Sequence, residues 1–301
     1  MGIATQMARF VIREAKYLPI RGAVLLIGRQ TVNLTPESFA DLMRQEEMAI
    51  DPGVPVTLDT TTRSGAGKGF VSDTYFFRVL GADSVTAMDV SSYEGAEITH
   101  NLNTPVEPSL EGKFDFIFNG SVLDNMFDPV TGLRNISRML APNGRVIHFE
   151  HASNATNNAY LQFSPNWFFD YCVVNRFADC KAYLAFFRDL DGPWDFYACS
   201  HNDGTEPRQF RSACFGMTAI VAEKSALTTW DKSPIQKQYR SPNEQALYME
   251  NLKHLSACTR PVINGAKARW RLLPTLATLK SFVPNSIVAS RRGYQALGRF
   301  G

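Results

Sequence analysis

Apolar residues dominate three short segments in the middle of the chain, at residues 85–89, 114–118 and 144–150. Each has the length of a buried strand and is bounded by polar or turn-forming residues. Between the last two, apolar side chains recur at helical spacing over residues 130–140: Val130, Leu133, Ile136, Met139 and Leu140. A strand, a helix and a second strand in this order predict a βαβ unit of a parallel sheet.

Polar residues stand at the ends of these strands. Asp89 ends the first, Asn119 and Gly120 follow the second, and Glu150 ends the third. Ligands of parallel α/β sheets bind at the carboxyl ends of the strands. These four residues are therefore the first candidates for a binding site.

The same patterns extend over most of the chain. Residues 3–17 form an amphipathic helix candidate. Thr35, Pro36 and Glu37 give a cap-and-proline helix-start signal, and Ser164 with Pro165 gives a second one. Strands are predicted at residues 23–28, 183–187, 195–199 and 217–222, and a further helix at residues 72–80. We predict an N-terminal helix (residues 1–20), a Rossmann-like α/β domain with helices on both faces of its sheet (residues 21–228), and a basic helical C-terminal appendage (residues 229–301).

The composition indicates the cellular compartment in which the protein is expected. The chain has 301 residues, of which 45% are hydrophobic, and five cysteines without CxxC spacing. Scattered cysteines of this kind are typical of buried thiols in a reducing compartment. Because no apolar run reaches the 18 residues of a membrane span, we expect no transmembrane segment and a cytoplasmic protein.

Charge is distributed unevenly. Residues 240–301 contain ten Lys or Arg and two Glu, a net charge of +8, whereas the whole chain has a net charge of +2. A basic tail can meet a nucleic acid, an anionic membrane or an acidic partner. Apolar residues such as Trp270 and Leu273 interrupt its charges, which favours packed helices with a solvated basic face. We therefore do not expect a nucleic-acid partner, and we consider homo-oligomerisation through these helices.

Several motifs resemble a known family. An acid-ended strand, an FDxI strand and an LxPxG turn before the next strand resemble class I S-adenosylmethionine-dependent methyltransferases over about residues 20–223. The letters GRQ at residues 28–30, YEGA at 93–96, HNLN at 100–103 and QFSP at 162–165 resemble a branch associated with bacterial glycan and nucleotide-sugar pathways. That branch has DGGTLEH where this chain has NGSVLDN at residues 119–125, so Asp124 and Asn125 replace its carboxylate and imidazole.

The turn after the first strand departs from the methyltransferase pattern. It contains one glycine, Gly28, followed by Arg29 and Gln30, whereas the family has a glycine-rich turn that lets the backbone approach the cofactor. A fixed cation at Arg29 disfavours a sulfonium and suits a diphosphate. Alternatively, Arg29 faces solvent or pairs with an acid such as Asp41. The glycine-rich residues 64–69 lack phosphate-loop spacing and are predicted to form a surface loop or lid.

Candidate chemistry follows from the strand ends. Asp89 is expected to accept hydrogen bonds from ribose hydroxyls, or else to be a surface acid that ends a strand. His148, Glu150 and Asp124 are the candidate catalytic residues. His148, Glu150 and His151 together are candidate ligands of Mg²⁺ or Mn²⁺; alternatively, they transfer protons or have a structural role.

The resemblance implies a specific activity, that of flavin-independent GDP-L-galactose pyranose–furanose mutases. We therefore predict an isomerase that acts on a GDP-hexose, aided by a divalent metal and without flavin. Gly28, Arg29, Gln30, Asp89, Asn119 and Gly120 would bind the nucleotide. One alternative is an S-adenosylmethionine-dependent O-methyltransferase of a sugar or glycan, and the other is a non-catalytic binding subunit.

Overall fold

A computed structural model of the chain describes residues 2–199, 212–258 and 294–300. The helices are α1 (Thr5–Tyr17), α2 (Pro36–Gln45), α3 (Asp73–Val79), α4 (Pro129–Met139), α5 (Pro165–Val174) and α6 (Pro242–Cys258). The strands are β1 (Gly2–Ile3), β2 (Ala23–Ile27), β3 (Thr31–Val32), β4 (Ser84–Asp89), β5 (Ile98–Thr99), β6 (Phe114–Gly120), β7 (Leu140–Ser153), β8 (Asp179–Phe187), β9 (Trp194–Cys199), β10 (Phe215–Glu223) and β11 (Tyr294–Phe300).

Nine of these strands form one sheet in the order β11-β9-β8-β10-β7-β6-β2-β4-β5. The strands from β5 through β4, β2 and β6 to β7 are parallel, and β10 lies antiparallel between β7 and β8. The predicted βαβ unit is confirmed as β6, α4 and β7. Because these five strands, from β5 to β7 in the sheet, are parallel, their carboxyl ends meet at one edge of the sheet.

Local sequence explains where the helices begin. Thr35 and Ser164 cap α2 and α5 with their side-chain oxygens, and a proline follows each cap at the first helical position. Proline suits this position because its missing N–H has no partner there in any helix. Asp128 and Pro129 start α4 in the same way. The sequence signals therefore placed these starts correctly.

Both faces of the sheet are covered. On one face, Phe10 of α1 packs edge-to-face on Phe149 and Tyr183, with ring centroids 5.3 Å apart in each case. On the other face, Ile136 of α4 and Phe168 of α5 are buried in a second apolar cluster. The N-terminal helix thus shares the core of the main domain.

The C-terminal region differs in part from the helical prediction. Helix α6 attaches to α5, where Tyr248 donates a 2.6 Å hydrogen bond to Asp170. Residues 294–300 form a strand, β11, which pairs antiparallel with β9, so the helical prediction was wrong there. An open strand edge offers unpaired N–H and C=O groups, which a further segment can satisfy. Most of the predicted basic helical region, residues 259–293, lies outside the described residues.

Within the described ranges, no helix is long and apolar enough to cross a membrane.

Candidate functional site

The carboxyl ends of β2, β4 and β6 converge around Gly28. Gly28 has φ +73°, a conformation that favours glycine, and its N–H donates to the Met88 carbonyl at 2.7 Å. A Cβ placed on Gly28 would lie 3.6 Å from both Asp89 Oδ2 and Val122 Cγ2. Gly28 is therefore a buried residue that brings side chains from the end of β4 and from after β6 close to the end of β2.

One carboxylate oxygen of Asp89 is free beside Gly28. Its Oδ1 accepts the Val90 N–H at 2.6 Å, whereas Oδ2 has no hydrogen-bond partner among the described residues. The side chain is partly exposed. A carboxylate in this position can accept hydrogen bonds from the hydroxyls of a bound ribose.

Arg29 is held inside the protein by two acids. Its Nη1 lies 3.1 Å from Asp73 Oδ1, and its Nη2 contacts Glu97 and donates to the Gly95 carbonyl at 3.2 Å. The side chain is only 11% exposed. Asp41, the acid suggested by the sequence, pairs with Arg44 instead. The charge of Arg29 is therefore compensated within the protein.

Gln30 stabilises the turn after β2 through hydrogen bonds. Its Nε2 donates to the carbonyls of Ile27 and Gly28 at 3.1 Å, and its backbone N–H donates to Asp73 at 3.0 Å. A Cβ on Gly120 would come within 2.4 Å of Gln30 Oε1. Gln30 is buried, so its hydrogen bonds stabilise the turn after β2 from the interior. Its side chain also leaves little room for a Cβ at residue 120, where the chain has glycine.

Asn119, His148 and Glu150 form a buried polar network. Asn119 Nδ2 contacts His148 Nδ1 at 2.9 Å and donates to Glu150 Oε1. Burial lowers the pKa of His148 to about 3, and its ring packs on Phe168. Burial, with the nearby Asp124 charge, raises the pKa of Glu150 well above its ordinary value. Since Glu150 is 0% exposed and His148 is also buried, their side chains lie beneath the site surface.

Glu150 also fixes a short 3-10 turn, Leu123–Asn125, that follows β6. Its Oε1 accepts the Leu123 N–H at 3.3 Å and its Oε2 accepts the Asp124 N–H at 3.1 Å. Backbone N–H groups at the start of a helical turn have no partner within the turn. The carboxylate of Glu150 thus holds the segment that carries Asp124.

Asp124, His151 and Ser121 form a second polar cluster. Asp124 Oδ2 accepts from the backbone N–H of His151 at 2.8 Å and lies 2.6 Å from His151 Nδ1. Ser121 donates to the same oxygen. Burial alone would raise the pKa of Asp124, but the hydrogen bonds from His151 and Ser121 outweigh it and lower that pKa. Asp124 is therefore an ionised partner of the imidazole.

The sequence suggested His151 as a metal ligand or proton-transfer group and did not single out Ser121. Asp124 and His151 are 27 residues apart, and no periodic pattern links such positions. Among the described residues, no group of three His, Cys, Asp or Glu side chains is arranged to hold a metal ion. Of the predicted metal set, His148 and Glu150 meet at Asn119, whereas His151 pairs with Asp124.

Exposed apolar side chains lie next to these residues. Val90 and Tyr93 follow β4, and Phe127, which is 92% exposed, follows the 3-10 turn. The N–H groups of Tyr160 and Leu161 donate to the Asp124 carbonyl at 2.9 and 3.0 Å. Both side chains are exposed. Apolar side chains around a few polar groups are typical of small-molecule sites.

Comparison with protein families identifies the type of fold. The family model described as a methyltransferase domain matches residues 63–148. The chain has a class I methyltransferase-like fold. The match begins just before the glycine-rich residues 64–69 and contains Asp89, Asp124 and the buried Asn119. It does not distinguish a nucleotide-sugar branch.

Solved structures match the chain at low identity and low TM-score. The citrinin polyketide synthase CMeT domain is 14% identical with a TM-score of 0.36, and the alignment covers 73% of this chain and 52% of that one. The 1,6-didemethyltoxoflavin-N1-methyltransferase of Burkholderia thailandensis, solved with S-adenosylhomocysteine, is 14% identical (TM-score 0.37; 74% and 78% covered). The YcgJ protein of Bacillus subtilis is 11% identical (TM-score 0.38; 73% and 99% covered). No curated protein matches the chain.

Proposed function

We propose that the chain is an S-adenosylmethionine-dependent O-methyltransferase. The observation that carries this proposal is the free Oδ2 of the partly exposed Asp89, which lies beside Gly28 at the carboxyl ends of β2 and β4. Asp89 also lies within the region matched by the methyltransferase domain. The cofactor would supply an electrophilic methyl group, and Asp89 would hold its ribose.

The geometry at Arg29 removes the electrostatic objection to a sulfonium. A lone guanidinium beside the site would repel a second cation, but Asp73 and Glu97 flank Arg29 and compensate its charge. Asp89 adds a further carboxylate at the end of β4. The residues present therefore fit a cationic cofactor.

The same geometry weakens the isomerase hypothesis. That hypothesis required Arg29 to bind a diphosphate, yet its guanidinium already contacts two carboxylates and a carbonyl. It also placed a divalent metal at His148, Glu150 and His151, which form no metal-holding group among the described residues. The methyltransferase alternative needs neither feature.

The glycine-rich residues 64–69 provide a further surface for the cofactor in this proposal. Thr62 Oγ1 lies 2.6 Å from Thr31 Oγ1, which fixes the start of the segment to β3 beside the turn of Arg29. Gly67 and Gly69 have positive φ angles, and a Cβ on either would meet nothing within 4 Å. Backbone without side chains allows a ligand to approach closely.

Calorimetric titration separates the three hypotheses. We expect S-adenosylmethionine and S-adenosylhomocysteine to bind, and GDP and a GDP-hexose to bind more weakly or not at all. Binding of GDP and the GDP-hexose without either adenosyl compound would contradict the proposal and favour the isomerase. If none of the four compounds bound, the non-catalytic alternative would be favoured.

A further inference from the structure

The Asp124–His151 pair leaves one imidazole nitrogen available. Asp124 Oδ2 and Ser121 Oγ both lie at Nδ1 of His151, at 2.6 and 3.1 Å. No hydrogen bond involves Nε2 among the described residues, and the His151 side chain is 8% exposed. Since an ionised carboxylate at Nδ1 favours the tautomer with the proton on Nδ1, Nε2 is left as a proton acceptor.

The pair lies next to the proposed cofactor site. Val122, whose Cγ2 faces Gly28, stands between Ser121 and the turn that carries Asp124. Glu150 fixes the position of that turn through its backbone N–H groups. The imidazole of His151 therefore pairs with a turn whose position is fixed, at the edge of the sheet where the cofactor would bind.

We propose that Nε2 of His151 is the general base that removes the proton of the acceptor, and that the acceptor is an aromatic hydroxyl compound. This inference rests on the methyltransferase function proposed above. Asp124 is then a positioning residue, because it orients the imidazole and stabilises its protonated form.

Proton affinity favours an acidic hydroxyl. An imidazole has an ordinary pKa of about 6.5 and a phenol one of about 10, so proton transfer between them is only moderately unfavourable. An alkyl hydroxyl resembles water, which is a far weaker acid than a phenol, and the same transfer would be far more costly. An Asp-oriented imidazole therefore suits a phenol better than the sugar hydroxyl expected from the sequence.

The surroundings of His151 favour an aromatic acceptor for a separate reason. Phe127, Tyr160 and Leu161 are exposed apolar residues on the two segments attached to Asp124. Aromatic side chains pack favourably against planar rings. A planar acceptor resting on them would direct its hydroxyl towards the polar cluster.

The transfer is balanced in atoms and charge. An electron pair of the acceptor oxygen forms the O–C bond to the methyl group, and the hydroxyl proton passes to Nε2 of His151. The S–C bond breaks, and its electron pair stays on sulfur as a neutral thioether. The imidazolium then releases its proton to water.

Absorption spectroscopy with 4-nitrophenol tests the inference without turnover. The probe is added to protein saturated with S-adenosylhomocysteine, at a pH at which free 4-nitrophenol is mostly protonated. We expect the bound probe to show the nitrophenolate band, and we expect His151→Gln and Asp124→Asn to reduce it about tenfold, the loss of one charge-assisted hydrogen bond. His254→Gln, a histidine of α6, is the matched control and should leave the band unchanged.

Two further measurements make each outcome decisive. Calorimetry with S-adenosylhomocysteine should give unchanged affinity in all variants; failure of the wild-type protein to bind it would refute the methyltransferase proposal itself. If it binds, absence of the nitrophenolate band or its persistence in His151→Gln would overturn the base assignment. Should the variants not fold, ¹⁵N NMR of the wild-type protein tests the base assignment directly. A proton on Nε2 of His151 must appear when 4-nitrophenol is added, and its absence would overturn the assignment.

Discussion

At the scale of single residues, charge compensation decides what Arg29 can do. Its partners, Asp73 and Glu97, come from α3 and from the segment before β5, so one guanidinium joins three parts of the chain. Burial raises the pKa of Asp73 even though Arg29 opposes that shift. Removing the guanidinium would leave a buried carboxylate without its cation.

We expect Arg29→Met to destabilise the protein by about 3 kcal/mol at neutral pH, the cost of breaking a buried ion pair. A raised folded-state pKa makes stability fall as pH rises above the ordinary value of 3.8, so the defect should shrink as the pH is lowered towards that value. Urea unfolding at several pH values measures it. The double variant Arg29→Met/Asp73→Asn should recover much of the loss; equal instability of both variants would contradict this explanation.

Asp89 is the residue on which cofactor affinity should depend. We expect Asp89→Ala to weaken binding of S-adenosylhomocysteine by about 1–3 kcal/mol, because hydroxyls lose a charged acceptor. Calorimetry gives the affinity, and thermal unfolding should show an intact fold. Asp41→Ala, in a surface pair, is the control. Unchanged affinity in Asp89→Ala would assign Asp89 to the surface.

At the scale of elements, the end of β7 and the 3-10 turn Leu123–Asn125 form one unit. Glu150 of β7 accepts two N–H groups of the turn, and Asp124 of the turn accepts two from His151 of β7. Each segment therefore supplies the acceptors for the other. This reciprocal arrangement explains why two carboxylates can be buried so close together.

The two carboxylates should differ in their effect on stability. Burial and the Asp124 charge raise the pKa of Glu150, so its contribution to stability is greatest at low pH and is lost as pH rises above about 4.5. Relative to the wild-type protein, Glu150→Gln should gain up to about 1.4 kcal/mol of stability per pH unit over that range. Chemical unfolding at successive pH values tests this. A constant difference between the two proteins would mean that Glu150 has an ordinary pKa.

At the scale of the whole molecule, one sheet joins distant parts of the sequence. Strand β11, near the end of the chain, covers the edge of β9, and β10 is inserted between β7 and β8. Each added strand supplies partners for backbone groups that would otherwise face solvent. The edge strand should therefore control local opening of its neighbour.

Deleting residues 294–301 should selectively expose β9. We expect amide hydrogens of β9 that face β11 to exchange faster, because their hydrogen-bond partners are removed. Hydrogen–deuterium exchange measures this, with β10 as the internal control because it keeps both neighbours. Equal exchange of β9 in the full-length and shortened proteins would show that β11 does not protect that edge.

The sequence alone determined the central elements and the edge of the sheet that carries the site. Apolar runs marked β4, β6 and β7, and cap-and-proline signals marked the starts of α2 and α5, because these features depend on residues only a few positions apart. The same reasoning placed Asp89 at a carboxyl strand end.

Only the tertiary structure decided which side chains meet and which face the site. Arg29 meets Asp73 across 44 residues, and Asp124 meets His151 across 27. Strand alternation places His148 and Glu150 on one face, but the turn that covers them comes from another part of the chain. The sequence predicted these two residues as catalytic; the fold buries them beside His151, which is also buried and whose Nε2 has no hydrogen-bond partner among the described residues. Local patterns encode secondary structure, while burial and pairing depend on contacts between segments distant in sequence.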